Sequence, residues 1–362
     1  MNIWFAAALP ANSYGGVNRT IYELSTLLRR RGHRVLVIQE PHSRSHPLSF
    51  AILLGVRLLL ELFNRPHWII ARSSDGVFAA LIVRMLRFDT RVILHNHGWE
   101  EKVYELEQRL PASIITNPTT WKATRIRFPL LRLNLRLCHY CCCGTLDEVR
   151  WLKERYPAQA AKIKYQPNGV FIGAPEPYWE SVYEWPLNFL FIGGPTWKKN
   201  FEYALTLFIA IREKLPQARL YWVGAGNYDS RLLEHAPADS LMVIPHESFR
   251  AIGRWYRKCP YLLSTSRFEG GHSLAILEAL SYGCVVFTAQ LASTAEFVTH
   301  KESGIVLEGV KADNDSAVMV DYVTNAALMH TISRNAYVTA RHHRWERQLG
   351  LLERILSSPR KS

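Results

Sequence analysis

The chain has 362 residues, of which 48% are hydrophobic and 21% are charged. This length and composition fit a globular protein of about two ordinary domains and exclude the disordered class. No run of uncharged apolar residues reaches the roughly eighteen that a membrane-spanning helix needs.

Positive charge is concentrated in the first half of the chain. Residues 1–180 contain 24 Lys and Arg against 14 Asp and Glu, a net charge of +10 out of +13 for the whole chain. A basic surface suits an anionic partner such as phospholipid headgroups or nucleic acid. No RNP, KH or helix-turn-helix pattern accompanies it, so we predict no nucleic-acid binding. The N-terminal segment has neither a basic leader nor a cleavage site, which predicts a cytoplasmic protein.

Four of the six cysteines cluster at 138–143. A disulfide framework is unusual in a cytoplasmic enzyme. A zinc site needs a second ligand pair at a defined spacing, and only His139 lies near the cluster. We therefore predict that these cysteines are small apolar residues of a buried strand and that the chain binds no metal.

Short apolar runs alternate with helical patterns along the first half. Residues 3–9 predict a buried strand, Gly15 and Gly16 precede an amphipathic helix, and residues 35–39 predict the next strand. This βαβ unit has an anion-binding turn at its helix start. The further elements predicted are helix 48–63, strand 67–71, helix 76–87, strand 91–95, helix 100–109, strand 113–116, the segment 121–137, a strand of cysteines and helix 145–155.

A stretch rich in Pro, Glu and aromatic residues separates this half from a second one of the same style. We predict a first domain at 1–172, a linker at 173–186, a second domain at 187–335 and a C-terminal helix at 336–362 that packs back towards the first domain. The fold class is α/β, with two Rossmann-like domains that face each other across a cleft. The elements predicted in the second half are strands 187–194, 218–224, 241–244, 261–266 and 284–289 and helices 200–214, 228–235 and 248–258.

The most informative stretch is residues 264–283, STSRFEGGHSLAILEALSYG. It runs from a strand end through a glycine pair into a helix, with Glu269 before the glycines and Glu278 on the helix. A helix that starts behind a glycine turn presents free N–H groups and the positive end of its dipole, which favours an anion. Because carboxylates suit sugar hydroxyl groups, the stretch predicts a site for the sugar and ribose of a nucleotide-sugar donor.

The order of these signals resembles that of glycosyltransferase family 4, the retaining enzymes of the GT-B fold, over nearly the whole chain. The most specific match is residues 264–283 followed by CVVFTA, STAEFV and HKESGIVLE. Further matches in the same order are YGGVNRTIYELSTLLRRRGHRV, PNGV, FIGGPTWKKNFEYAL, LYWVGAGNY and HHRWERQLGLLERIL. Each motif alone is weak evidence, whereas their common order is specific.

The resemblance implies a role for each matching residue. Glu278 would accept hydrogen bonds from the ribose hydroxyls. Lys199 would neutralise the charge that grows on the leaving nucleoside diphosphate, and His97 would lie beside the reacting sugar carbon. The catalytic residues so implied are His97, Glu269 and Lys199. The donor-binding residues are Gly15, Gly16, Gly194, Lys198, Lys199, Gly224, Arg267, Glu269, Gly270, Gly271, His272, Ser273, Leu274 and Glu278.

The sequence departs from the family pattern in two places. Eight residues separate the two glutamates where the family usually has seven, so either the turn bulges or Gly270 takes the first site. The family commonly has an arginine where this chain has Gly194, and Lys198 or Arg267 would then supply the missing charge. His95, two positions earlier in the chain, is the alternative to His97.

The acceptor side is less well defined by the sequence. The segment 121–137 interleaves large apolar residues with Lys and Arg, and three of its arginines fall on one helical face, although Pro129 should break a single helix. Together with residues 47–66 it suits peripheral contact with an anionic membrane at its inner face. An ordinary domain helix with solvated arginines is the alternative interpretation.

We therefore predict a retaining hexosyltransferase that uses a UDP- or GDP-sugar and a glycan or lipid-linked acceptor in cell-envelope polysaccharide or lipopolysaccharide synthesis. The resemblance implies that the reaction needs no metal or other cofactor. The alternatives are a GT-B nucleotide-sugar epimerase and a degenerate member that binds nucleotide or glycan without turnover. A phosphorylase would need a cofactor lysine site or extra length that the sequence does not offer.

Overall fold

The computed structural model describes residues 1–10, 15–40, 47–61, 64–182 and 184–359. The chain divides into two compact units. Unit 1 comprises Met1–Pro111, Asn117–Asn168 and Trp345–Ser362, and unit 2 comprises Ala112–Thr116 and Gly169–Arg344. Within the described ranges no helix combines the length and the apolar character needed to cross a membrane.

Unit 1 is a parallel sheet with helices. Its strands are β1 (Asn2–Pro10), β2 (Arg34–Glu40), β3 (Trp68–Arg72), β4 (Arg91–His95), β5 (Tyr140–Cys143) and β6 (Ile163–Tyr165). Its helices are α1 (Gly16–Arg30), α2 (Pro47–Leu60), α3 (Val77–Met85), α4 (Glu100–Glu107), α5 (Phe128–Leu137) and α6 (Leu146–Arg155). The described strands lie in the order β2-β1-β3-β4-β5-β6.

The apolar runs of the sequence form the centre of this sheet. In β1 the residues from Ile3 to Ala7 are almost fully buried, which is typical of a parallel strand covered on both faces. The cysteines of β5 are buried with free thiols, as predicted for small apolar residues. A late helix also belongs to unit 1, since the backbone oxygen of Leu356 accepts a hydrogen bond from Trp68 Nε1 at 3.1 Å.

Unit 2 repeats the architecture. Its strands are β7 (Asn188–Ile192), β8 (Arg219–Val223), β9 (Leu241–Ile244), β10 (Tyr261–Ser264), β11 (Val285–Ala289) and β12 (Ile305–Leu307). The helices after α6 are α7 (Phe201–Lys214), α8 (Gly253–Lys258), α9 (Leu274–Ser281), α10 (Ala292–Ala295), α11 (Ala312–Val323), α12 (Ala326–His342) and α13 (Trp345–Leu356), of which α13 belongs to unit 1. The described strands are parallel and lie in the order β12-β11-β10-β7-β8-β9.

The segment 173–186 packs within unit 2. Trp179 is buried, and its Nε1 donates to the backbone oxygen of Tyr256 at 2.8 Å. The hydroxyl of Tyr337, on α12, donates to the backbone oxygen of Ala174 at 2.9 Å. The predicted C-terminal helix is divided between α12 and α13, which end and begin on either side of His343.

Several element predictions are wrong. Residues 113–116 are not a strand, because β4 pairs directly with β5 and leaves no place between them in the sheet. Ala112–Ile114 forms a 3-10 turn instead. Pro129 does not break the segment 121–137, which is helical throughout. A π-helical turn at Ala123–Arg127 immediately precedes the proline, which then sits in the first turn of α5, where its missing N–H costs little. The predicted helix 228–235 is only a 3-10 turn at Ser230–Leu233.

Candidate active site

In each sheet the chain reverses the direction in which it adds strands, and it does so beside the first strand of that sheet. In unit 2 this point lies between β7 and β10, and in unit 1 it lies between β1 and β3. Open parallel sheets bind ligands outside the carboxyl ends of the strands at such a switch point. The loops that follow these four strands are therefore the first places to look for a site.

The switch point of unit 2 carries an ion pair. Lys199 Nζ lies 2.6 Å from Oε1 of Glu269, and the hydroxyl of Ser266 donates to the same oxygen at 2.7 Å. The Glu269 side chain is only 12% exposed and that of Lys199 30%. Two residues that are seventy positions apart in the chain thus meet in one partly buried cluster, as their shared implied role requires.

Backbone contacts hold the two loops of this cluster together. The N–H of Arg267 donates to the backbone oxygen of Lys198 at 2.7 Å, and Arg267 Nη1 donates to that of Trp197 at 3.2 Å. Thr265 donates through Oγ1 to the backbone oxygen of Asn200 at 2.8 Å. Burial lowers the pKa of Arg267. Both cations predicted to replace the family's arginine therefore lie on these two joined loops.

Gly193, rather than Gly194, is the glycine that this geometry demands. Gly193 has φ +145°, and a Cβ added there would lie 3.1 Å from Cγ of Lys199. At Gly194 an added Cβ would lie 3.9 Å from the backbone oxygen of Gly224, which is ordinary contact. Gly224 itself has φ +81° at the end of β8. The backbone of Gly193 thus makes room for the lysine side chain to reach Glu269.

Helix α9 starts at this cluster with unsatisfied backbone donors. Ser273 is its N-cap, and its side chain makes no capping hydrogen bond. The first intrahelical bond runs from the N–H of Leu277 to the backbone oxygen of Ser273 at 3.0 Å, so the N–H groups before it point out of the helix. The glycine pair Gly270 and Gly271 precedes this end of the helix, as the sequence predicted for an anion seat.

His272, between the glycines and the helix, points into the interior. Its side chain has no exposed surface and its Nε2 lies 3.0 Å from Oε2 of Glu296. The ring packs against Phe297 and His343 at centroid distances of 4.5 and 5.3 Å. The imidazole therefore anchors the turn from below, and a ligand at the turn would meet the backbone of His272 instead of its ring.

Glu278 lies one turn further along α9. It is buried, and the hydroxyl of Tyr256 donates to its Oε2 at 2.8 Å. The same hydroxyl lies 3.3 Å from the backbone oxygen of Ala275. Tyr256 thus fixes the orientation of the carboxylate that the resemblance assigns to the ribose hydroxyls.

The switch point of unit 1 joins the ends of β1 and β3. Asp75 Oδ2 accepts a hydrogen bond from the N–H of Ala8 at 2.8 Å, and burial raises the pKa of Asp75 to about 6. Gly15, the N-cap of α1, has φ −93°, and an added Cβ would meet nothing within 4 Å among the described residues. Gly16 is the exposed first residue of α1. The described residues of unit 1 therefore show no steric or backbone reason for a glycine at position 15.

His97 follows β4 at the same edge of the sheet. Its ring lies edge-on to that of His95, with centroids 4.5 Å apart. Burial, the His95 ring and the Arg72 guanidinium hold the pKa of His97 well below its usual range, and burial lowers the pKa of His95 to about 4. Both rings are thus neutral at physiological pH. The Nε2 atom of His97 is buried and makes no hydrogen bond within the described ranges.

A buried carboxylate supports the loop that carries His97. Glu148 Oε1 accepts a hydrogen bond from the N–H of Trp99 at 2.5 Å, and Thr145 caps the helix on which Glu148 lies. Burial raises the pKa of Glu148 to about 7, although its hydrogen bond from the Trp99 N–H opposes the shift.

The predicted residues thus fall into two groups, each at a carboxyl edge. Unit 1 holds Gly15, Gly16 and His97, and unit 2 holds the rest. Sequence reasoning missed four supporting residues, which are Gly193, Tyr256, Ser266 and Glu148. The family-like serine before the glutamate was a visible signal for Ser266. The other three act through contacts with distant segments that no local pattern announces.

Both halves of the chain match models of known families. Residues 14–172 match the model described as Glycosyltransferase Family 4, and residues 186–325 match the model described as Glycosyl transferases group 1. No curated protein matches the sequence.

Several solved structures share the fold over almost their whole length. They include a sucrose-phosphate synthase from Thermosynechococcus elongatus, with 14% identity, 98% of each chain covered and a TM-score of 0.76. Anabaena HepE in complex with UDP and glucose has 15% identity, 99% of this chain and 100% of that chain covered, and a TM-score of 0.73. WaaG, a glycosyltransferase involved in lipopolysaccharide biosynthesis, has 14% identity, the same coverage and a TM-score of 0.72.

Two Rossmann-like units of this kind, with their loop clusters at the strand ends, define the GT-B class of glycosyltransferases. Within that class the chain belongs to the glycosyltransferases that combine a family 4 N-terminal domain with a group 1 C-terminal domain. The resemblance seen in the sequence and the predicted fold class are both confirmed.

Proposed function

We propose that the protein is a retaining hexosyltransferase that takes its sugar from UDP or GDP and gives it to a glycan or lipid-linked acceptor in cell-envelope polysaccharide or lipopolysaccharide synthesis. The observation that carries this proposal is the cluster of Lys199, Glu269 and Ser266 at the switch point of unit 2, beside the start of α9. It combines a cation, a carboxylate and free backbone donors, which together suit a sugar attached to a diphosphate.

The diphosphate of the donor would replace Glu269 as the ion-pair partner of Lys199. Without a donor, Glu269 neutralises the lysine, which keeps the partly buried cation paired. A bound diphosphate would offer stronger acceptors to Lys199 and to the N–H groups of α9, and would release Glu269 towards the sugar hydroxyls. The ion pair thus keeps both side chains in place for a ligand that needs each of them separately.

In the proposed reaction the bond between the anomeric carbon and the diphosphate oxygen breaks, and its electron pair leaves with the nucleoside diphosphate. An acceptor hydroxyl forms the new bond on the same face of the sugar, and its proton passes to the leaving diphosphate. Lys199 stabilises the charge that grows on that leaving group. His97 is a neutral imidazole whose buried Nε2 makes no hydrogen bond within the described ranges, and we propose that it contacts a sugar hydroxyl.

The names of two neighbours support the choice of donor and pathway. HepE was solved with UDP and glucose, and WaaG acts in lipopolysaccharide biosynthesis. Their identity to this chain is too low to carry over the base, the sugar or the acceptor, so the assay must leave these open.

An exposed apolar helix supports a place at the inner membrane surface. In α2 five exposed positions are aliphatic: Ile52, Leu53, Val56, Leu59 and Leu60. Helix α2 packs against α3, whose last residues Met85 and Leu86 are also exposed. In the segment 121–137, by contrast, two of the arginines are already paired with carboxylates, Arg127 with Glu100 and Arg132 with Glu101. We propose that the protein is cytoplasmic and that α2, more than the segment 121–137, makes peripheral contact with lipid.

The test is a panel of UDP- and GDP-sugars added to the purified protein. One donor should raise the melting temperature, because it binds only the folded state, and the protein should hydrolyse or transfer that sugar in EDTA. Lys199→Gln should lower kcat/KM by roughly a hundredfold, as expected when one donor to a developing anion is lost. Lys214→Gln, at the exposed far end of α7, removes the same charge as a control.

Other outcomes would decide against parts of the proposal. A strict requirement for a divalent metal would contradict the metal-free reaction. A product of inverted configuration would contradict retention. Binding of a donor with neither hydrolysis nor transfer to any acceptor would favour the non-catalytic alternative, which Gly194 in place of the family's arginine already suggests.

A further inference from the structure

A cavity lies in unit 1, at the edge of the sheet opposite to His97. Its volume is about 420 Å³, within the range of small-molecule sites. Its wall includes Arg91 and Tyr140, the first residues of β4 and β5, and it lies beside the start of β6. His97 follows the other end of β4, so the two places are separated by a strand length of roughly 15 Å.

The wall of this cavity is strongly basic. Asp89 is its one carboxylate among the described residues. Four cations line it: Arg84, Arg91, Lys162 and Lys164. The net charge of these groups is positive by three, because His139, which also lines the cavity, is neutral. A cavity of one charge sign raises the local concentration of ions of the opposite sign.

Neutral oxygens hold these cations in position. Lys162 Nζ donates to the backbone oxygens of Arg136 and Cys138 at 2.8 and 3.1 Å. Arg84 Nε donates to the backbone oxygen of Leu137 at 3.1 Å, and Arg91 Nη1 donates to that of Ser358 at 2.7 Å. Carbonyl groups orient the side chains without removing their charge. The cavity is thus pre-organised for an anion.

The positive charges of the cavity add to pKa shifts that burial causes in two of its lining residues. Burial lowers the pKa of His139 to about 4, and the charges of Arg84, Arg91 and Lys162 add to the shift. Burial and the charge of Arg84 also lower the pKa of Lys162. In both groups the charged form is destabilised, whereas an anion bound in the cavity would stabilise it.

We infer that this cavity is a second anion site, separate from the donor site, which binds the phosphate group of a phosphomonoester or phosphodiester. Guanidinium groups match phosphate oxygens in pairs, and lysines add point charges. The ligand is a free organic phosphate or a lipid headgroup. The second source is physically close, because Arg84 is followed on the surface by Met85 and Leu86, which are 70% and 52% exposed.

The experiment measures binding of glycerol 3-phosphate by calorimetry and binding of vesicles made of equal parts phosphatidylglycerol and phosphatidylcholine. The cavity variant combines Arg84→Gln and Lys164→Gln. A control variant combines Lys153→Gln and Arg155→Gln, which removes the same charge from α6 in the same unit. A third protein, Lys199→Gln, reports any phosphate that binds at the donor site. Melting temperatures confirm that each variant is folded.

We expect the cavity variant to bind glycerol 3-phosphate about tenfold more weakly, since charge-assisted hydrogen bonds are lost, while both other variants bind like the unaltered protein. Loss of vesicle binding in the cavity variant alone identifies a lipid headgroup as the source, and unchanged vesicle binding identifies a soluble phosphate. Equal weakening in the cavity and α6 variants, or loss of binding only in Lys199→Gln, would overturn the inference.

Discussion

Glu269 and Glu278 differ in what holds them, and this difference separates their roles. Glu269 shares one oxygen with a cation, Lys199, and a hydroxyl, Ser266. Glu278 is oriented by the neutral hydroxyl of Tyr256 inside the protein. A bound diphosphate would compete with Glu269 for its lysine, whereas it would leave the hydrogen bond between Tyr256 and Glu278 in place. Glu278 is therefore the better candidate for constant contact with the donor.

The first prediction tests that role. Glu278→Gln keeps the shape of the side chain but loses an acceptor for the two ribose hydroxyls, so the affinity for UDP or GDP should fall by about tenfold or more. Calorimetric titration with both nucleotides measures it. Tyr256→Phe is the matched variant: it should lower affinity less and cost about 1 kcal/mol of stability, because one buried hydrogen bond is lost. Unchanged affinity of Glu278→Gln for both nucleotides would remove Glu278 from the site.

At the level of elements, the two glycine turns serve different needs. Gly193 is required by the fold, because its φ of +145° is unfavourable for other residues and its missing Cβ gives space to Lys199. The described part of the chain shows no such requirement for Gly15, since its φ is −93° and an added Cβ would meet nothing within 4 Å there. The approach of a ligand to the start of α1 is the reason that we propose for this glycine.

The second prediction compares these two turns. Gly15→Ala should leave the melting temperature unchanged and weaken donor binding, because the added methyl group blocks the approach of the diphosphate to the start of α1. Gly193→Ala should lower stability by about 1 kcal/mol and weaken binding as well, since it strains the backbone and displaces Lys199. Thermal unfolding and donor titration of both variants check this. Full donor affinity in Gly15→Ala would exclude the turn from the donor site.

The third prediction concerns the exposed face of α2. Leu53 and Leu60 are 63% and 77% exposed, and burying two such side chains in lipid contributes roughly 2 to 4 kcal/mol. Replacing both by serine should lower co-sedimentation with anionic vesicles at least tenfold. The control replaces Val310 and Val338, exposed apolar residues of unit 2, by serine. Equal binding of both variants would show that α2 is not the lipid-contacting element.

For the whole molecule, the sequence predicts the elements well and their meeting points poorly. The strand at 241–244 is predicted to the residue, because parallel strands read as short apolar runs. The strand orders that create the switch points leave no local signal. The same holds for the contact of Lys199 with Glu269. These arrangements depend on packing between segments that are far apart in the chain, which the periodicity of a single segment does not encode.

The residues 113–116 show the opposite failure. Their apolar character suggested a strand, but a strand exists only where a neighbour offers hydrogen-bond partners, and β4 already pairs with β5. The family resemblance rests on the order of several motifs instead of on the propensity of one segment. It can therefore relate residues that are distant in the chain. It implied one site for Lys199 and Glu269, which are seventy positions apart in the chain and whose side chains are in contact.

The fourth prediction concerns the stability of the protein as a function of pH. The pKa of Glu148 is raised from 4.5 to about 7 by burial. Between these values the unfolded chain has lost the proton while the folded chain keeps it, so the contribution of Glu148 to the free energy of unfolding falls as the pH rises from 4.5 to 7. The loss amounts to about 3 kcal/mol, is absent below this window and is complete above it. His95, His97 and His139 have pKa values lowered by burial and act in the opposite direction below pH 6.5.

Glu148→Gln should therefore make the free energy of unfolding rise more steeply with pH, or fall less, than in the unaltered protein, and urea unfolding at about pH 4.5, 6 and 8 measures the difference. The raised pKa of Asp75 acts in the same direction as that of Glu148, between 3.8 and about 6, and stays in both proteins. Glu154→Gln is the control, because it removes an exposed carboxylate from the same helix α6. If Glu148→Gln kept the slope of the unaltered protein, the carboxyl under the His97 loop would be ionised throughout, and Trp99 would be held by a charged acceptor.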